Sequence, residues 1–115
     1  MKKISIVNNK GRVGKTTSTA NSGTCLSQQG YKVLLIDIDP QGNLSKLFKS
    51  SNNDTLSVSD VLLDENLDIH NVIRKTDFEN LDILPANINL TSTERLILTN
   101  ENRSQQDRLD KVLLI

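Results

Sequence analysis

The stretch Gly11-Arg12-Val13-Gly14-Lys15-Thr16-Thr17 lies between a β-branched run, Lys3 to Val7, and a segment with helical character. Each residue type suits a loop that wraps phosphate. Gly14 lets the backbone pass close to phosphate oxygens while neighbouring N–H groups point inward. The following helix adds partial positive charge at its N-terminus. Lys15 brings an ammonium group to the β/γ-phosphate position, and the Thr16 hydroxyl is suited to Mg²⁺. The match to G-x-x-x-x-G-K-[ST] is incomplete, because Asn9 occupies the first glycine position. A chance glycine-rich turn before a helix is the bland alternative.

Outward from the loop, Lys3 to Val7 reads as a short buried strand. Thr16 to Gln29 reads as a helix stopped by Gly30. Its residues are mostly weak helix formers, so packing or a ligand must hold it. Tyr31 to Ile36 is a strand run without polar alternation after Lys32, the pattern of a strand covered on both faces. Strand, helix and strand make one βαβ unit with a right-handed crossover. Leu44 to Phe48 and Ser57 to Leu63 predict short helices, the second capped by Ser57. Lys49 to Thr55 is a polar loop. Leu81 to Leu84 predicts a third strand, stopped by Pro85. Thr91 to Leu114 predicts a helix with a break near Asn100-Glu101-Asn102, since Leu109, Val112 and Leu113 share a helical face.

The composition narrows the function classes. Lys+Arg 14 and Asp+Glu 14 cancel to zero net charge, which argues against a strongly basic nucleic-acid-binding domain. A single cysteine, Cys25, excludes a disulfide framework and a CxxC-type metal site, and on the helix it is expected as a small buried side chain. His70 has no Cys or His partner at ligand spacing and is expected on the surface. No apolar run approaches the ~20 residues that span a bilayer, and the start is too short in apolar character for a signal peptide. A cytoplasmic protein is the expectation. Aromatics are 3% of the chain and Trp is absent, so the core must be aliphatic.

A second run, Val33-Leu34-Leu35-Ile36-Asp37-Ile38-Asp39-Pro40-Gln41-Gly42-Asn43, follows the helix, and Lys10 is a second lysine inside the loop. Here the chain resembles the ParA family of chromosome and plasmid partition ATPases, of the deviant Walker A group. Asn80 to Leu90 (Asn80-Leu81-Asp82-Ile83-Leu84-Pro85-Ala86-Asn87-Ile88-Asn89-Leu90) and Glu94 also look like that family. The resemblance implies an α/β P-loop NTPase fold, a parallel sheet flanked by helices, with residues 1–115 as its N-terminal part. It implies ATP and Mg²⁺ as cofactors, with Gly11, Arg12, Val13, Gly14, Lys15, Thr16 and Thr17 around the nucleotide. Lys15 and Thr16 would bind phosphate and Mg²⁺, and Lys10 would reach the partner's nucleotide across an ATP-sandwiched dimer. A second cation of that kind stabilises charge spread over the γ-phosphate oxygens. Asp39 would position the attacking water, and Asp37 would support the metal end of the site. Without the loop, the two aspartates would read as a solvated strand end. By pattern Val33 to Asp37 could be a Walker B strand, but its place directly after the loop helix fits the family's second motif better. A ParB-like DNA-binding partner is implied too.

Three departures bear on activity. Arg12 stands where the family has its second glycine, and a left-handed conformation there costs a residue with a Cβ roughly 1–2 kcal/mol. The Arg12 side chain could add a cation to phosphate or obstruct the dimer. Ser22 stands where the family usually has an apolar residue, so its hydroxyl needs a partner or weakens packing on the sheet. The chain ends at Ile115, before the family's Walker B-like strand and the half that carries adenine contacts and the non-specific DNA surface. The expected fold is therefore incomplete, lacking the C-terminal strands, with an apolar sheet edge left unpaired. The alternative to an ATPase is a truncated, inactive remnant or a non-enzymatic interaction module.

Overall fold

The computed structural model describes residues 14–50, 55–64 and 66–99. The expected strand Lys3 to Val7, the loop residues Lys10 to Val13, most of the polar loop before Thr55 and everything after Thr99 lie outside the described residues.

Helix α1 runs Lys15–Gln28 and leads through a tight turn into strand β1, Val33–Ile36. Gly30, at φ +94, takes the left-handed conformation that ends a helix. Its N–H donates to the Ser27 carbonyl and the Tyr31 N–H to the Leu26 carbonyl, which satisfies two terminal acceptors. Helix α2, Asn43–Leu47, ends in the same way, with Lys49 left-handed at φ +57. Helix α3, Val58–Leu63, begins where the sequence places its cap. The Ser57 hydroxyl accepts from the Ser59 N–H at 3.3 Å, and the Ser57 N–H donates to the Asp60 carboxylate at 2.8 Å.

Among the described residues, strand β2, Arg74–Lys75, and strand β3, Leu81–Leu84, form with β1 a sheet of order β1-β3-β2. The β1–β3 pair is parallel, with Val33 opposite Leu81 and Ile36 opposite Leu84. The β2–β3 pair is antiparallel, so the sheet is mixed rather than wholly parallel. Two charged residues carry no apolar alternation, which is why β2 leaves no trace in the sequence. Helix α4, Asn89–Thr99, starts earlier than its apolar spacing indicates, because the Asn87 side chain accepts the Asn89 N–H at 3.1 Å.

The two faces of the sheet divide the core. Leu35, Leu81 and Ile83 join Ala20 of α1 and Leu44 of α2 on one side. Leu34, Ile36 and Leu84 pack with Val58, Val61, Leu62 and Leu90 of α3 and α4 on the other. Burial on both faces explains the unbroken apolar run of β1. This is a small α/β domain with helices on each face, as the sequence indicates.

Helix α1 meets the sheet through small residues, Ala20, Gly23 and Ser27, all buried. A Cβ added at Gly23 would lie 2.7 Å from Leu35 Cδ2, so glycine permits that closeness. Two expectations for α1 are corrected by this orientation. Cys25 is exposed, not buried, because it stands two residues from Gly23 on the far side of the helix. Ser22 is also exposed, so its hydroxyl faces solvent and does not weaken packing on the sheet.

Candidate functional site

Helix α1 runs back along the sheet before turning into β1. Its 14 residues rise about 21 Å, so its N-terminus lies at the carboxyl end of β1. That end is where ligands sit in open α/β sheets. Gly14 precedes α1 at φ +86, and no side chain caps the helix. A Cβ at Gly14 would meet nothing within 4 Å among the described residues, and the first turn carries no acidic residue. Backbone N–H groups at the start of a long helix, with no acidic residue in its first turn, suit a phosphate group. Thr16 is half-buried and Thr17 exposed on the first turn. Lys15 begins the helix, while Lys10, Gly11, Arg12 and Val13 lie outside the described residues.

The second part of the site is the turn after β1. Asp37 is buried, 4% exposed, and its N–H donates to the Leu84 carbonyl, continuing the β1–β3 ladder. Its Oδ1 accepts the Asp39 N–H at 3.1 Å. Its Oδ2 accepts both the backbone N–H and the hydroxyl of Ser45, at 3.0 and 2.6 Å. Asp39 is half-buried, and its Oδ1 accepts the Gln41 N–H at 2.9 Å. The Gly42 N–H donates to the Asp39 carbonyl at 2.8 Å, and Gly42 is left-handed at φ +63. Successive aspartate side chains thus fold the turn onto itself. The structure brings the start of α1, Asp37 and Asp39 to one end of the sheet.

Ser45 and the Ala86 N–H that donates to its hydroxyl at 2.9 Å are participants that sequence reasoning missed. The signal was a hydroxyl residue just past Asp37-Ile38-Asp39-Pro40-Gln41-Gly42-Asn43, where α2 begins. A cleft of about 690 Å³ lies at the opposite, amino end of the strands, lined in part by Lys32, Phe78 and Asn80, so it is separate from these aspartates. His70 is on the surface as expected, its Nδ1 2.9 Å from Asp68 Oδ1. Among the described residues no group of His, Cys, Asp or Glu could by itself hold a metal ion. No helix among the described residues is long and apolar enough to cross a membrane.

The fold is that of a small α/β domain matching part of P-loop ATPase structures. A family profile described as an AAA domain matches residues 1–114. The sporulation initiation inhibitor protein Soj of Bacillus subtilis is 46% identical over 92 residues, covering 79% of this chain and 36% of that protein. The chromosome partitioning protein ParA of Caulobacter vibrioides is 42% identical over 94 residues, covering 79% of this chain and 34% of that protein. Among solved structures, cobyrinic acid a,c-diamide synthase from Mycobacterium smegmatis, with an ATP analogue and magnesium bound, superposes with a TM-score of 0.83 at 36% identity. That match covers 94% of this chain and 43% of the solved one. A plasmid partition protein from Borrelia burgdorferi superposes with a TM-score of 0.70 at 29% identity, over 90% of this chain and 45% of the other. The chain belongs to the ParA/Soj-like ATPase family. It spans between a third and a half of the length of these relatives.

Proposed function

We propose that the chain is the nucleotide-binding part of a partition ATPase, which binds ATP with Mg²⁺ at the start of α1 and acts in chromosome or plasmid segregation. The observation that carries this is the start of α1 behind a left-handed Gly14, with no side-chain cap among the described residues, at the same end of the sheet as Asp37 and Asp39. Bound Mg²⁺·ATP supplies a γ-phosphate open to attack by water. The residues of the chain do the rest. Gly11, Arg12, Val13, Gly14 and Thr17 line the phosphates, and Lys10 and Lys15 offset their charge. Thr16 would hold the metal together with phosphate oxygens, Asp37 would support that end of the site, and Asp39 would orient the water. Dimerisation of the ATP-bound form, a ParB-like DNA-binding partner and a cytoplasmic site of action belong to the same reading. The family names of the relatives support it.

Calorimetric titration of the chain with ATP and ADP, with and without Mg²⁺, tests the proposal. Saturable Mg²⁺-dependent binding that Lys15→Ala abolishes is expected. Absence of binding in the unsubstituted chain removes the proposal.

A second reading, a non-enzymatic interaction module, is favoured by one observation: Arg12 stands where the family's loop has a glycine. It entails no ATPase above background and no effect of Lys15→Ala. Turnover that depends on Lys15 excludes it.

A further inference from the structure

Three segments distant in sequence meet at Ser45. The Ala86 N–H, just past β3, donates to Ser45 Oγ at 2.9 Å. Ser45, in the first turn of α2, donates its hydroxyl proton to Asp37 Oδ2 at 2.6 Å and its N–H to the same oxygen at 3.0 Å. Asp37, at the end of β1, accepts the Asp39 N–H on its other oxygen at 3.1 Å. The direction of each bond follows from chemistry. A backbone N–H can only donate and a carboxylate only accepts, so the single hydroxyl proton of Ser45 must point to Asp37. Ser45 is fully buried and Asp37 nearly so, and no other arrangement of these groups leaves all of them paired.

We propose that Ser45 is a positioning residue for Asp39, acting through Asp37. This rests on the reading of Asp39 as the carboxylate that orients water. The Asp37 oxygens already carry three donors, so its contribution is orientation, and Asp39, the less buried of the two, is the aspartate open to a ligand. Charge-assisted hydrogen bonds to a buried carboxylate are strong, and breaking one leaves a donor and an acceptor unpaired. Loss of the Ser45 hydroxyl strands the Ala86 N–H and removes the shortest bond to Asp37. The turn that carries Asp39 then keeps only the residue-45 N–H and the Asp37–Leu84 backbone bond as ties to α2 and β3.

The test is amide hydrogen exchange by NMR on the 115-residue chain, comparing wild type with Ser45→Ala, Ser45→Thr and Asp37→Asn. In Ser45→Ala the Asp39 amide exchanges about tenfold faster or more, while Leu35 and Leu84, inside the β1–β3 pair, change by less than about twofold. Asp37→Asn gives the same local pattern, and Ser45→Thr, which keeps a hydroxyl, stays close to wild type. An unchanged Asp39 amide in Ser45→Ala overturns the proposal, and so does equal acceleration of Leu35 and Leu84, the mark of a merely structural role. Turnover gives a second readout: kcat falls about tenfold in Ser45→Ala with KM nearly constant, and Ser45→Thr restores it. A normal kcat in Ser45→Ala also overturns it. A wild-type chain that binds no ATP removes the proposed function but leaves the exchange result intact, so the two failures are distinguishable.

Discussion

Gly23 of α1 lies against Leu35 of β1 so closely that a Cβ at position 23 would sit 2.7 Å from Leu35 Cδ2. Leu81 Cδ1 lies 3.4 Å from the same point. The helix that follows the proposed phosphate-binding turn is seated on the sheet at this glycine, so its packing sets where that turn stands relative to Asp37 and Asp39.

Gly23→Ala brings two opposed effects. Alanine favours the helix by about 1 kcal/mol over glycine. Overpacking against buried Leu35 costs typically 1–3 kcal/mol, about 2 at the centre of that range. The net expectation is a loss of about 1 kcal/mol, measured by urea unfolding. Equal or greater stability in Gly23→Ala would show that Leu35 yields without strain.

Gly14→Ala acts differently, because no described residue lies within 4 Å of a Cβ there and its backbone conformation, at φ +86, objects. The strain is roughly 1–2 kcal/mol. Relief of that strain by a change of φ would turn the start of α1 away from its present direction. Calorimetry is expected to show ATP affinity reduced by about tenfold or more, with a small fall in Tm. Unaltered affinity would mean that this turn does not touch the nucleotide.

Ser57→Ala removes one half of the capping box on α3 and the 3.4 Å contact between the Ser57 hydroxyl and Asn87 Oδ1. Loss of such a cap costs about 1 kcal/mol. Denaturant unfolding should show that loss. Helix α3 packs on the sheet face opposite α1, so ATP binding should be unaffected.

Asp68 accepts hydrogen bonds from both the backbone N–H and the ring of His70, and the backbone bond is the larger influence holding its carboxyl below the usual carboxylate range. The sign follows from linkage: a carboxyl depressed in the folded state stabilises the fold above its unfolded pKa. That contribution is lost as pH falls through the folded value. His70→Ala keeps the backbone donor and removes the ring, so NMR titration should find the Asp68 carboxyl raised only part of the way toward its usual range. Complete return would mean that the ring, not the N–H, holds it.

Local chemistry explains which elements were legible in the sequence. Gly30 ends α1 because a left-handed residue is needed there, and Ser57 starts α3 because a short hydroxyl reaches the first free N–H groups. Pro85 follows the last residue of β3. By contrast, β2 consists of Arg74 and Lys75 alone, and its pairing to Asp82 and Ile83 has no residue signature. The early start of α4 depends on the Asn87 side chain, which an apolar spacing does not register. Exposure of Cys25 follows from which face of α1 rests on the sheet, and a helix of small polar residues has too weak an apolar stripe to announce it.

The same division holds at the site. The types and spacing of Gly14, Lys15, Thr16, Asp37 and Asp39 are local, and the sequence by itself determined the α/β class, the family resemblance and the residues to inspect. Tertiary structure alone decided what Asp37 touches. Its partners, Ser45 and through it Ala86, come from the start of α2 and the end of β3, separated by 41 positions, and meet only because β1 and β3 pair in parallel. Hydrogen bonds between distant segments depend on register and burial, and neither is written in the residues that make them.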